Sequence, residues 1–289
     1  GVRLVGSEMC IRDRAMAIVI GIDVGGSTTK IVGIENHKIK SPVFITAADP
    51  VTSLFGAFGK YIYDNHIALK DIEQIMLTGV GSSHIEGALY GVPTMKIDEF
   101  ISNGLGARYE SNLDRLLVVS MGTGTSFIKV ENDSIKHIGG IGIGGGTLSG
   151  LSRLLLKTND ICQVARLAEK GDISKINLQI QDICTQALPD LPLDATASNF
   201  GNVDQNAAPE DLAKGLFYLV YQAIGSAVNQ AAVGNGIKDV VLIGNLTQLP
   251  LCAPVFKSME DLYPIRFHIP PYAEYCTAIG AALSYIHRK

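Results

Sequence analysis

The sequence predicts an α/β fold of two similar subdomains, each a mixed sheet flanked by helices. Three observations predict it. One pattern (strand, glycine turn, strand, Glu-Asn turn, third strand) is written twice, once from Ala17 and again from Leu116. Strand-like apolar runs alternate with segments of helical periodicity, the order that builds sheets covered by helices. The chain has 289 residues, 47% of them hydrophobic, enough for one large domain or two of ordinary size.

The first fifteen residues, "GVRLVGSEMCIRDRA", fit nothing that follows. Their apolar run is short and broken by Arg12, Asp13 and Arg14, which excludes a signal peptide. Residues 1–15 are therefore expected to be a non-native or disordered leader, with Met16 as the start. "AIVIGIDVGGSTTKIVGIENHKIK" then reads as an apolar strand, a Gly-Gly turn, a β-branched strand, a turn at Glu35 and Asn36, and a third short strand. In "DPVTSLFGAFGKYIYDNHI", Leu54, Phe55, Phe58, Tyr61 and Ile62 fall at helical spacing; "QIMLTG" is a buried strand ending in a glycine turn. The second copy, "LLVVSMGTGTSFIKVENDSIKHI", repeats the strands and closes its hairpin at Glu131 and Asn132. A long helix follows, opened by Pro209, Glu210 and Asp211 and stopped by Gly234 and Gly236. "DVVLIGN" is a strand that ends on Gly244. The division between halves is expected between Glu99 and Asp114, giving subdomains 16–107 and 108–289.

Composition excludes several classes. Net charge is −4 and the basic residues are scattered, which speaks against nucleic acid or an anionic membrane as a partner. No apolar run has the length of a membrane span. Five cysteines, Cys10, Cys162, Cys184, Cys252 and Cys276, are widely spaced with no C-x-x-C pair, arguing against a disulfide framework, zinc or an iron-sulfur site. Buried thiols in a reducing cytosol are expected.

Three glycine turns are candidates for chemistry: Asp23 to Lys30, Ser120 to Ser126, and Gly139 to Gly150. Without a Cβ, backbone amides at such turns approach a phosphate closely; tight hairpins need glycine as well. G-x-G-x-x-G is satisfied at Gly140, Gly142 and Gly145, but after a third strand and without an acidic residue at the spacing a dinucleotide site needs. No G-x-x-x-x-G-K-[ST] exists. Asp23 ends a buried strand and is followed by Gly25, Gly26, Ser27 and Thr28, so its carboxylate can hold a hydrated Mg²⁺ while the turn holds phosphate; the alternative is an ordinary turn aspartate. Asp98 and Glu99 end another apolar segment, where a carboxylate serves either as general base toward an alcohol or as a solvated helix start.

With these residues the chain resembles the ASKHA superfamily of sugar kinases, actin and heat-shock ATPases, and within it the type II, eukaryotic-like pantothenate kinases. "GIDVGGSTTK", "SMGTGTSF", "GGIGIGGGTLSGL", "ASNFGN" and "VVLIGN" with "AIGAAL" match family blocks in order, from Met16 to the C-terminus. The resemblance implies two ribonuclease H-like subdomains with nucleotide in the cleft between them. It also implies ATP- and Mg²⁺-dependent phosphorylation of pantothenate in a cytoplasmic homodimer joined along the long second-half helix. Carried over, Glu99 is the catalytic base and Asp23 acts on Mg²⁺ through water. Nucleotide contacts fall on Asp23, Gly25, Gly26, Ser27, Thr28 and Lys30; on Gly122, Thr123, Gly124 and Thr125; and on Gly144, Gly145, Gly146, Thr147, Gly150 and Gly244. Ser126 contacts pantothenate, and so does position 137, where the family's usual arginine is replaced by His137. Arginine offers a fixed, charged fork and histidine a single, mostly neutral donor. Pantetheine or a sugar as acceptor, an ATPase that activates a partner enzyme, and a non-catalytic nucleotide-binding regulator are the other readings. The activator class usually carries cysteines for a shared cluster, and this chain has none paired.

Overall fold

A computed structural model of the chain describes residues 18–26, 28–36, 38–46, 49–184, 186 and 191–288. The expected leader and Ser27 lie outside the described residues. The chain falls into two compact units: one runs up to Ile97 and takes in the residues from Ala281 onward, and the other is Asp98–Gly280.

In the first unit, β1 (Ile18–Val24), β2 (Thr28–Glu35) and β3 (Lys38–Ile39) form an antiparallel meander, and β4 (Val43–Thr46) pairs with β2 beyond β3. Asn36 turns β2 into β3 at φ 49°, a left-handed conformation that asparagine tolerates. The helix α1 (Pro50–Asp64) is capped by Asp49, whose carboxylate accepts from Thr52 N–H, with Pro50 as its first residue. Leu54, Phe58 and Tyr61 on α1 are fully buried against Ile20, Ile22 and Ile31. Then β5 (Ile72–Thr78) joins β1 in parallel, and β6 (Thr94–Lys96) joins β5, giving the order β3-β2-β1-β5-β6.

The second unit begins with α2 (Glu99–Ser111) and repeats that topology. The meander is β7 (Arg115–Met121), β8 (Thr125–Glu131) and β9 (Ser134–Ile141), with Asn132 at φ 51° where Asn36 stood in the first. After it come α3 (Gly145–Leu155), α4 (Ile161–Lys170), β10 (Leu178–Gln179), α5 (Ile180–Ile183) and β11 (Thr196–Ser198), then the 26-residue α6 (Pro209–Gly234). Parallel β12 (Asp239–Ile243), α7 (Cys252–Met259) and β13 (Arg266–His268) complete the sheet in the order β9-β8-β7-β12-β13. The last helix, α8 (Cys276–Ile286), starts in this unit and ends in the first.

One face of the second sheet, with Leu117, Val119, Met121 and Phe127, packs on Phe217, Val220 and Tyr221 of α6. The other, with Leu116, Val118, Ile128 and Val130, packs on Ala107 of α2 and Cys276 of α8. That packing explains where the units divide. The sequence placed the division at residue 107/108, whereas the compact units divide at 97/98, with α2 packed on β7, β8, β9 and β12 of the second unit.

Candidate active site

The first unit contributes a carboxylate held at the end of a buried strand. Asp23 is the penultimate residue of β1, its side chain 11% exposed, and Lys30 Nζ stands 3.5 Å from its Oδ2 across the β1–β2 pair. Burial pushes the Asp23 carboxyl above its ordinary range, and the Lys30 ammonium pulls it back only in part. Gly25 closes the turn through its N–H to Thr28 C=O at 2.8 Å, while Gly26 faces open space. Asp23, Gly25, Gly26, Thr28 and Lys30 are thus brought together, with Lys30 committed to Asp23.

One residue of this corner escaped the sequence reading. Gly79 ends β5 directly beside Asp23, at φ 85°, and a Cβ there would stand 2.5 Å from both Asp23 Oδ1 and Val24 C=O. Gly79 therefore packs its backbone directly on the Asp23 carboxylate, and any side chain there would push Oδ1 or the Val24 carbonyl aside. A carboxylate held at a strand end in this way suits a hydrated Mg²⁺, which needs one or two carboxylates and otherwise keeps water and phosphate oxygens as ligands. Gly244, at φ 97°, ends β12 in the same way. In both places a 3-10 turn follows, and a hydroxyl donates back to the glycine carbonyl at 2.7 Å: Ser82 to Gly79, Thr247 to Gly244. The signal was present as "TGVGS" and "IGNLT". Gly79→Ala is expected to weaken Mg²⁺-dependent turnover at least about tenfold, since 1 Å misplacements at a reacting centre cost on that order or more. A Mg²⁺ titration of initial rate checks it.

In the second unit three glycine turns converge. Gly145 N–H donates to Gly122 C=O at 2.8 Å and Gly146 N–H to Thr123 C=O at 2.9 Å; Gly122 N–H turns back onto Gly124 C=O. A Cβ on Gly144 would meet Thr123 C=O at 2.7 Å, and one on Gly244 the Met121 carbonyl at 2.6 Å. Thr125 is buried and donates its hydroxyl to Ile143 C=O; Thr147 donates to Gly142 C=O and accepts from Gly144 N–H. The amides of Gly122, Gly144, Gly145 and Gly146 are thus engaged within and between these turns, so glycine serves here to pack two loops and a helix start within backbone distance. Gly150 lies apart, exposed on α3 with open space where its Cβ would be.

The third group surrounds the head of α2. Asp98 is the N-cap, its carboxylate accepting Ile101 N–H at 3.0 Å. That engages Asp98 in structure and leaves half-buried Glu99 as the first helical residue. The next residue, Phe100, lies flat on His137 of β9, ring centroids 4.1 Å apart and planes 11° from parallel. A bulge in β9, where Phe127 and Ile128 face Gly139 and His137, turns His137 toward α2. Ser126 shares that face, because alternate residues Ile128 and Val130 pack toward Ala107. Ser126 and His137 therefore share one face of the sheet, and Glu99 directly precedes Phe100, whose ring covers His137.

A family model described as Fumble matches residues 107–251, half of the chain. The chain belongs to the Fumble family. The segment matched in this Fumble protein runs from within α2 to Leu251, just before α7, and so contains the converging glycine turns, Ser126 and His137. Curated relatives named type II pantothenate kinase, from Staphylococcus aureus strains USA300 and NCTC 8325, are 28% identical over 275 residues, 91% of this chain and 97% of theirs. Family and relatives support a kinase. Among solved structures, an activator of 2-hydroxyisocaproyl-CoA dehydratase from Clostridium difficile with bound ADPNP aligns at TM-score 0.70 and 17% identity, covering 94% of this chain and 95% of that one. Component A of the (R)-2-hydroxyglutaryl-CoA dehydratase of Acidaminococcus fermentans aligns at TM-score 0.64 and 20% identity, covering 93% and 97%. A ROK family protein from Streptococcus pneumoniae in complex with sucrose aligns at TM-score 0.57 and 12% identity, covering 94% and 98%. At these identities the likeness is one of fold, the ASKHA type expected from the sequence.

Proposed function

We propose that this Fumble protein transfers the γ-phosphoryl group of ATP to the primary hydroxyl of pantothenate, giving 4′-phosphopantothenate, the first step toward coenzyme A. The observation that carries the reading is the head of α2, where Asp98 takes the capping role and Phe100, the residue after Glu99, lies flat on His137. Glu99 accepts the hydroxyl proton of the acceptor, and Ser126 and His137 hold that acceptor in place. The packed turns around Gly122, Gly145 and Gly244 hold the nucleotide. Asp23, kept in place by the close packing of Gly79, would hold Mg²⁺ through water; when bound, that ion would neutralise charge on the transferring phosphoryl group. The active form is read as a cytoplasmic homodimer, with the second copy along α6, whose Leu219, Ala223 and Gln230 are not buried within the unit.

A second reading, an ATPase that activates a partner enzyme, is favoured by the fold likeness to the two dehydratase activators. Against it, among the described residues Cys162, Cys184, Cys252 and Cys276 are all free and two of them are buried, and the sequence spaces them widely with no C-x-x-C pair. A coupled ADP-release assay across pantothenate, pantetheine and several sugars separates the readings. Turnover is expected with pantothenate. Turnover only with another alcohol would replace the substrate, and acceptor-independent ADP release alone would favour the activator.

A further inference from the structure

We propose that Phe100 is the positioning residue for His137, and that the stacked pair sets the specificity of the acceptor site in favour of neutral planar groups such as an amide. The inference rests on the kinase reading above and deepens it. His137 is an exposed strand residue, yet its ring is fixed in one plane: the phenyl of Phe100 covers one face at a centroid distance of 4.1 Å and an angle of 11°. The β9 bulge supplies the direction and α2 supplies the plane. Phe100 follows Glu99 directly, so the stacked pair forms a preset wall next to that residue.

The chemistry of that wall differs from a charged clamp. An imidazole lying on a phenyl face presents its two ring nitrogens at its edge for hydrogen bonding. Such an edge pairs with the N–H and C=O of an amide, but it supplies no fixed positive charge to a carboxylate. Acceptors that share the amide but differ in charge at the far end, such as pantothenate and pantetheine, are therefore poorly distinguished. Fixing the ring beforehand also removes the entropy of ordering it on binding, which makes the aromatic partner felt in KM and not in the chemical step.

The test is a double-mutant cycle in the intact protein, read as KM and kcat for the acceptor. Phe100→Leu is expected to raise the acceptor KM about three- to tenfold, the cost of ordering one free side chain, with little change in kcat or in the KM for ATP. In a His137→Ala background the same change should add nothing, and Phe100→Tyr, which keeps the ring, should restore the wild-type value. His137→Arg should raise the preference for pantothenate over pantetheine about tenfold or more. Equal effects of Phe100→Leu with and without His137 would overturn the positioning role. An unchanged pantothenate-to-pantetheine ratio in His137→Arg would overturn the specificity claim. If Phe100→Leu does not fold, Phe100→Met, which fills the space without a ring, takes its place in the cycle. If pantothenate and pantetheine are not phosphorylated at all, the substrate assignment fails and the cycle is run with the alcohol that is, so the two failures are told apart.

Discussion

Glu99→Gln lowers kcat by about 10²- to 10⁴-fold, the usual contribution of a positioned general base, while ATP binding persists. Glutamine keeps the shape and cannot take the proton. The neighbouring carboxylate gives the control. Asp98 caps α2 through Ile101 N–H, so Asp98→Ala should cost about 1 kcal/mol of stability and leave the chemical step in place. Single-turnover phosphoryl transfer, measured beside nucleotide titration, checks both. Full turnover in Glu99→Gln would place the base elsewhere.

Asp23→Asn is expected to remove Mg²⁺-dependent turnover. It leaves the Lys30 ammonium, 7% exposed, without its counter-charge, a loss partly offset because burial of the Asp23 carboxylate already outweighs its attraction to Lys30. Replacing both, with Asp23→Asn and Lys30→Met, should recover stability in denaturant unfolding without recovering activity. A pH series tests the same carboxylate. Its folded-state pKa lies above the ordinary value, so the proton is held more tightly in the fold than in the unfolded chain. The stability this group contributes is present at low pH and lost as pH rises through the raised pKa. For function the direction reverses: the ionised form that holds Mg²⁺ is lost on acidification at a higher pH than for an exposed aspartate. The KM for Mg²⁺ should rise accordingly.

The strands and helices with strong period were legible in the sequence. α1 and α6 lie where apolar spacing and Pro/Gly punctuation put them, and both Glu-Asn turns hold asparagine in the left-handed region. The turn at Gly244 was legible, and its counterpart at Gly79 was not assigned a role, because its meaning lies in a neighbouring strand: only the pairing of β5 with β1 brings it to Asp23. α2 was legible only as a possible helix start at Asp98 and Glu99, for a physical reason. It packs through small residues, with a Cβ on Gly106 falling 1.8 Å from Cys276 C=O, and so lacks the apolar stripe that marks a helix. The Phe100–His137 stack was equally hidden, since it depends on a bulge that no spacing announces.

The course of α8 has a consequence for how the protein is made. Ala281, Ala282 and Leu283 are buried, and the Tyr285 hydroxyl donates to Glu73 of β5 at 3.1 Å, in a unit whose other elements all precede residue 98. On a ribosome the first sheet emerges early, but the helix that completes its unit is translated after the whole of the second. The N-terminal unit must therefore wait, partly formed, for nearly two hundred residues of synthesis, whereas Asp98–Gly280 is continuous and can close as soon as it is released. Vectorial synthesis thus favours the unit that is second in the sequence as the first to reach its final packing.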